Sequence, residues 1–147
     1  MNWPCHLAVV ATIRDTDCMG HVNNAVYLTW TEEIRTRYII DRRGWNGLDD
    51  VDFVLGSARI DYRSSVFLEE TVDIWCGPSR VGTKSWDFLY VGKARSDGRV
   101  VFQAHTVQVQ YDYGERRAVP IPHDWRKMLE EDLIPGPTEG TGEGDNG

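Results

Sequence analysis

The stretch Arg14-Asp15-Thr16-Asp17-Cys18-Met19-Gly20-His21-Val22-Asn23-Asn24-Ala25-Val26-Tyr27-Leu28-Thr29-Trp30-Thr31-Glu32-Glu33-Ile34-Arg35-Thr36-Arg37 changes character halfway along. Its first half packs two acids, a glycine and a histidine into a short segment with no apolar period, which reads as a loop. In its second half, and just beyond, Tyr27, Trp30, Ile34 and Tyr38 recur at three- and four-residue spacing. That is one stripe of an amphipathic helix from about Asn24 to Arg42, with Val26 and Leu28 widening the apolar face. Asn23 or Asn24 can cap its start by accepting a bond from an orphan backbone N–H. Glu33 and Arg37 stand at i,i+4 on the exposed side, and Gly44 ends the helix. The loop therefore delivers carboxylates to the positive end of a helix.

Outward from this helix the period shifts to two. A first strand is expected over His6–Arg14, where Leu7, Val9, Ala11 and Ile13 alternate with polar or small residues. After a loop at Gly44–Asp50, Ala58, Ile60 and Tyr62 share one strand face, and Arg59, Asp61 and Arg63 the other. Val72, Ile74 and Cys76 mark a third strand, and Trp86, Phe88 and Tyr90 a fourth. Asp97-Gly98 is a hairpin signal. A long last strand over about Arg99–Tyr113 alternates Val107, Val109 and Tyr111 with Thr106, Gln108 and Gln110. His123–Glu131 is expected as a short helix behind Pro122. One strand, one long helix and four more strands with hairpin-like connections give an α+β class, a curved antiparallel sheet of about five strands around one long helix. Residues 1–134 form the single domain. The segment 135–147, rich in Gly, Glu, Pro and Thr, is expected to be a disordered tail.

The 147 residues suffice for a real core. A formal charge of -7 disfavours nucleic acid, whose phosphates would be repelled. No apolar run reaches membrane-spanning length, and the first residues form neither a signal nor a transit segment. Cys5, Cys18 and Cys76 make no disulfide framework, which points to a cytoplasmic setting. Cys18, beside the acids, has no assignable partner and reads as a bystander thiol. The dispersed His6, His21, His105 and His123 suggest no metal site. No cofactor-binding box is present.

Asp15-x-Asp17-x-x-Gly20-His21-Val22-Asn23-Asn24-x-x-Tyr27, followed by Glu32-Glu33-x-Arg35, resembles the hotdog-fold acyl-CoA thioesterases. The nearest branches are the 4-hydroxybenzoyl-CoA thioesterase-like enzymes and the plant acyl-carrier-protein thioesterases, which also carry His-Val-Asn-Asn. The resemblance covers roughly Ala8 to Tyr113 and extends to the element order. It implies a helix wrapped by the sheet, protomers joined sheet edge to sheet edge as a homodimer or homotetramer, and active sites at that interface. It implies hydrolysis of an acyl-CoA or acyl-carrier-protein thioester, with CoA entering only as part of the substrate. A non-catalytic module that binds acyl-CoA is the alternative from another class.

Thioester hydrolysis needs a nucleophile or activated water and a stabiliser for the developing oxyanion. A carboxylate just before a helix supplies the first, and the unpaired N–H groups of the first turn supply the second. Asp17 matches the family's catalytic acid and is assigned as nucleophile or general base. Asp15 reads as a loop-fixing acid. Gly20 lets the loop turn and lets substrate approach the backbone. Backbone N–H groups near Asn24 and Ala25 are expected to hold the thioester oxygen, with Asn23 ordering the loop or carbonyl and Asn24 capping the helix. His21 matches a catalytic histidine of the plant pattern, and a structural role in holding the loop fits equally. Met19 stands where the plant enzymes carry an asparagine, so their full constellation is not reproduced. Tyr27 and Arg35 are candidate pocket positions on the helix. Asp61 matches a strand acid of the plant enzymes, although pairing with Arg59 and Arg63 explains it as well. Glu32 and Glu33 are read as surface partners of Arg35 and Arg37. Arg80 and Lys84 lie in a segment resembling the connection that contacts the CoA nucleotide, which makes them the phosphate-binding candidates.

Overall fold

The structure, a computed structural model, describes residues 2–44, 47 and 51–135. The expected tail beyond Pro135 and most of the Gly44–Asp50 loop, with Trp45, lie outside those residues. The elements run β1 (Cys5–Val10), a 3-10 turn (Ile13–Asp15), α1 (Asn24–Arg43), β2 (Phe53–Tyr62), β3 (Thr71–Val81), β4 (Ser85–Ala94), β5 (Val100–Asp112), β6 (Arg117–Ala118) and α2 (His123–Glu131). The sheet has the antiparallel order β1-β3-β4-β5-β2, with two-residue β6 added on β5. It curls around α1, which is the hotdog arrangement. No helix among the described residues is long and apolar enough to cross a membrane.

Helix α1 forms where its stripe demands. Tyr27, Trp30, Ile34 and Tyr38 are all buried against the sheet, each contributing roughly 1.5–3 kcal/mol of hydrophobic burial. Ile39, Thr31 and Arg35 join them. Val26 is only half-buried and Leu28 is exposed, so the stripe is narrower than the sequence suggests. Gly44 closes the helix in the left-handed conformation at φ 72°, where a side chain would be strained. The anticipated Glu33–Arg37 pair does not form, since Arg37 reaches Asp41 at 3.5 Å. Nor do Glu32 and Glu33 partner Arg35, which is buried.

Strand β1 ends earlier than its alternation predicts. Thr12 breaks it by starting the 3-10 turn, its backbone N–H donating to the Asp15 carboxylate at 2.8 Å and its hydroxyl at 3.0 Å. Ile13 is consequently 72% exposed rather than part of a strand face. Strand β5 carries the larger surprise. Its inward face is Thr106, Gln108 and Gln110, all buried, while Val107 and Val109 sit half-buried on the outer face. Strand β2 is an outer edge of the sheet, with residues 55–59 exposed. Helix α2 spans the expected residues and buries Trp125 and Leu129.

Candidate active site

The loop between the 3-10 turn and α1 is built almost wholly from its own backbone. The Asp17 N–H donates to the His21 carbonyl at 2.8 Å, and the Gly20 N–H donates back to the Asp17 carbonyl at 3.1 Å. Gly20 sits at φ 81°, a conformation other residues adopt only with strain. Asp17 Oδ1 accepts the Met19 N–H at 2.8 Å and, more weakly, the His21 N–H at 3.4 Å. Its second oxygen has no bond among the described residues. One carboxylate oxygen thus fixes the loop and the other stays available for chemistry. Asp15 is turned away, its carboxylate held by Thr12 and its carbonyl accepting the Asn23 N–H at 2.7 Å.

The loop is fastened to the segment after β2. The Val22 N–H donates to the Val66 carbonyl at 2.8 Å, and His21 pairs with Phe67 through the backbone. The two rings meet edge to face, with centroids 4.9 Å apart. Asn23, not Asn24, is the N-cap: its side chain accepts the Ala25 N–H at 2.9 Å. That corrects two expectations together, because the Ala25 N–H is consumed by the cap and is not free for an oxyanion. The Val26 N–H bonds the Asn23 carbonyl at 2.9 Å. What remains of the first turn is the Asn24 N–H, which has no partner among the described residues and carries the positive end of the helix dipole.

These groups line a cleft of about 290 Å³ formed by Asp17, His21, Val22, Asn24, Tyr27, Tyr62, Arg63, Ser64 and Ser65. Tyr62 closes one side, its hydroxyl donating to the Asn24 carbonyl at 3.0 Å and its ring meeting Tyr27 at 5.2 Å. Burial pushes the Tyr27 phenol above its ordinary pKa, so it stays protonated beside the carboxylate.

The structure brings Asp17, His21, Asn24 and Tyr27 together, with Gly20 and Asn23 shaping the wall. It puts the other sequence candidates elsewhere. Arg35 lies eleven residues along α1 from Asn24, ~16 Å at the helical rise. It is buried under the helix with its guanidinium donating to the Tyr90 hydroxyl at 3.1 Å. Asp61 sits outside the cleft lining and pairs with Arg59 at 3.5 Å, while Arg63 bonds Gln103 instead. Arg80 is engaged by Asp87 at 2.7 Å and by the Ser85 hydroxyl at 2.7 Å. It and Lys84 stand at the β3–β4 turn. The cleft is at the opposite end of the sheet, separated by the eleven residues of β3, ~33 Å of strand. Cys18 is exposed and free. No cluster of three metal-ligating side chains occurs among the described residues. The wall of Tyr62, Arg63, Ser64 and Ser65 was not anticipated as a site. It comes from the last residue of β2 and the segment beyond it, and only closure of the sheet on the helix places it.

Comparison with known proteins accords with this geometry. Residues 11–129 match the family model of the thioesterase-like superfamily. The chain is 28% identical over 126 residues to the long-chain acyl-CoA thioesterase FadM of Escherichia coli (strain K12), covering 78% of this chain and 89% of that one. A thioesterase of Thermus thermophilus, solved with coenzyme A and Zn, superposes with a TM-score of 0.78 at 29% identity, covering 88% and 94% of the two chains. The structure of a predicted thioesterase from Bacillus stearothermophilus superposes with a TM-score of 0.83 over 90% of this chain and 98% of that one; at 22% identity it shows the shared fold. The match spans the loop, the helix and every long strand after it, and the chain belongs to the thioesterase-like superfamily, the hotdog thioesterases.

Proposed function

We propose that this chain hydrolyses an acyl-CoA thioester to the free acid and CoA. The observation that carries the reading is the pairing, in one cleft, of an uncommitted Asp17 carboxylate oxygen with the unpaired Asn24 N–H. The thioester carbonyl oxygen accepts the Asn24 N–H, so charge building on it is met by a fixed donor and the helix dipole. Asp17 then acts in one of two balanced ways. As nucleophile it bonds the carbonyl carbon and expels the CoA thiolate, and water cleaves the resulting anhydride. As general base it takes a proton from a water that attacks the same carbon, and the departing thiolate receives a proton. His21, packed edge to face with Phe67, holds the loop that presents Asp17.

The similarity to FadM and to a thioesterase solved with coenzyme A supports CoA as the donor. An edge-to-edge homodimer through β2 also fits. That strand is long, exposed and, among the described residues, unpaired on one side, an edge that native proteins normally cover. A two-fold antiparallel pairing there would turn the second sheet end for end. Its β3–β4 turn, with Arg80 and Lys84, would then lie at the end of the assembly that holds the first copy's cleft, which would restore these cations as phosphate contacts.

The test is thiol release from short, long and aromatic acyl-CoAs by the intact protein and by Asp17→Asn. Turnover of at least one ester, lost in the variant, is the expected result. Turnover that survives the substitution removes Asp17 from the chemistry. Absence of turnover with every CoA ester, with release from an acyl-carrier protein instead, replaces the donor. Incorporation of solvent oxygen into Asp17 in a single turnover identifies the anhydride route.

A further inference from the structure

Two of the three cysteines meet inside the sheet. Cys5 opens β1, Cys76 lies in β3, and the antiparallel register sets them directly opposite each other. Residues opposed in this way point to the same face of the sheet, here the inner one, since both are buried in the core. Their Cα atoms therefore stand ~4.5–5.5 Å apart, within the ~4.4–6.8 Å that a disulfide spans. The Cys76 S–H donates to the Cys5 sulfur and holds the Cys5 thiol below its ordinary pKa, while burial pushes the Cys76 thiol well above its own. The Cys5 thiol also reaches the Ile34 carbonyl of α1 at 3.9 Å. One strand further on, Cys76 is opposed by Tyr90, whose hydroxyl accepts the Arg35 guanidinium at 3.1 Å. Arg35 is buried with no acidic partner among the described residues, and its charge favours a thiolate at Cys76. Strand β1 is an edge of the sheet and Cys5 is its first residue, so fraying of that end admits a small reagent. Cys18, by contrast, is exposed on the Asp17 loop and far from both in the fold's register.

We propose that Cys5 and Cys76 form a reversible disulfide site, closed by a low-molecular-weight disulfide such as that of glutathione and reopened by a small thiol. The step is a thiol–disulfide exchange. The Cys5 thiolate attacks one sulfur of the small disulfide, whose S–S bond breaks, leaving a mixed disulfide on Cys5 and releasing one thiolate. Cys76 gives up its proton, attacks the Cys5 sulfur and expels the second thiolate. The two protons lost by the cysteines go to the two released thiolates, so the pair is oxidised by two electrons and the reagent is reduced by two. The new bond encloses residues 5–76, and a ring that long strongly restricts the unfolded chain. It also fastens β1, which pairs with β3 alone. Ile34, which Cys5 touches, lies ten residues along α1 from Asn24, ~15 Å at the helical rise. The bond therefore acts on the hold of the edge strand and not on the Asp17 cleft, and it stands independently of the thioesterase reading.

The test reads covalent connectivity and stability. The folded protein is equilibrated with glutathione disulfide or with dithiothreitol, remaining thiols are alkylated, and the chain is cut with trypsin. Cleavage puts each cysteine on its own peptide, residues 1–14, 15–35 and 64–80. The oxidised sample is expected to yield the first and third peptides joined by one disulfide. Its Tm should lie about 5 °C or more above that of the reduced sample, and dithiothreitol should reverse both changes. Cys5→Ala treated in the same way should show neither the joined peptides nor the rise in Tm. Recovery of Cys5 and Cys76 as alkylated thiols, or with glutathione left on either, overturns the proposal. So does a bridge to Cys18, or a bridge between Cys5 and Cys76 that forms only in denaturant. A native bridge that lowers Tm overturns it as well, because the register would then not fit the bond.

Discussion

The two ends of α1 are treated oppositely. At its C-terminal end the polar groups are paired. The Tyr38 hydroxyl donates to Asp132 Oδ2 at 2.6 Å, and Arg42 Nε reaches the same oxygen at 2.6 Å. Arg43 grips Asp52 with two bonds of 2.7 Å each, and Gly44 completes the cap. Cations in the last turn also face the negative end of the dipole. At the N-terminal end the Asn24 N–H and one Asp17 oxygen lack partners among the described residues. A satisfied end holds the helix to the sheet and to α2. An unsatisfied end in a cleft is where a ligand completes the bonding, which is how one helix serves both stability and catalysis.

Substitutions at the two ends should therefore separate activity from stability. Asp17→Asn should have the largest effect, lowering kcat about 10²- to 10⁴-fold, the range for a positioned acid or base, with thermal unfolding nearly unchanged. Asp132→Ala should do the reverse. Two short bonds are lost, the buried Tyr38 hydroxyl is left unpaired, and Arg42 keeps only its contact to Glu131 at 3.3 Å. Denaturant unfolding should show a loss of ~1.5–3 kcal/mol and unchanged turnover per folded molecule. Asn23→Ala tests the boundary between the two behaviours. Loss of the cap should cost ~1 kcal/mol, and kcat should fall as well, because the freed Ala25 N–H and the loosened loop displace the Asn24 donor.

The smallest expected effect concerns acid stability. The bond from Arg99 holds the Glu70 carboxyl below its usual range. A depressed folded-state pKa means that the unfolded chain binds the proton first as pH falls. The stabilisation is complete above the unfolded value, ~4.3, and disappears as pH drops through the folded one. Glu70→Gln should flatten that acid limb in unfolding measured between neutral pH and pH 3. Glu70 also accepts the Phe67 N–H at 3.1 Å, so the loop behind His21 should loosen at the same pH.

The same contrast explains what could be read from the residues alone. Helix α1 was legible because Tyr27, Trp30, Ile34 and Tyr38, at three- and four-residue spacing on its inward stripe, are all large and apolar. Strand β5 was not, because its inward residues are polar, and some of their hydrogen-bond partners lie far away along the chain. Gln110 donates to Asp52 at 2.6 Å, which also holds Arg43. Thr106 shares hydrogen bonds with Tyr90 and Gln108. No local period reveals such partners. In the cleft, Asp17, His21, Asn24 and Tyr27 were legible because one loop and one helical turn bring them together. Arg63 and Ser65 were not, since they approach only through the sheet. The cap was misassigned by one residue, a distinction that two adjacent asparagines do not encode in composition and that backbone geometry alone decides.

The most direct test of the account is kcat for Asn24→Pro against Asn24→Ala. Proline suits the first helical position, and Asn23 already has the extended backbone that a following proline requires, φ -62° and ψ 138°. The substitution deletes one N–H and keeps the helix, while alanine removes only the side chain. If the Asn24 N–H holds the thioester oxygen, the proline variant should fold normally and lose about 10²- to 10³-fold in kcat relative to the alanine variant. Equal kcat in two folded variants would contradict the assignment of that N–H to the oxyanion.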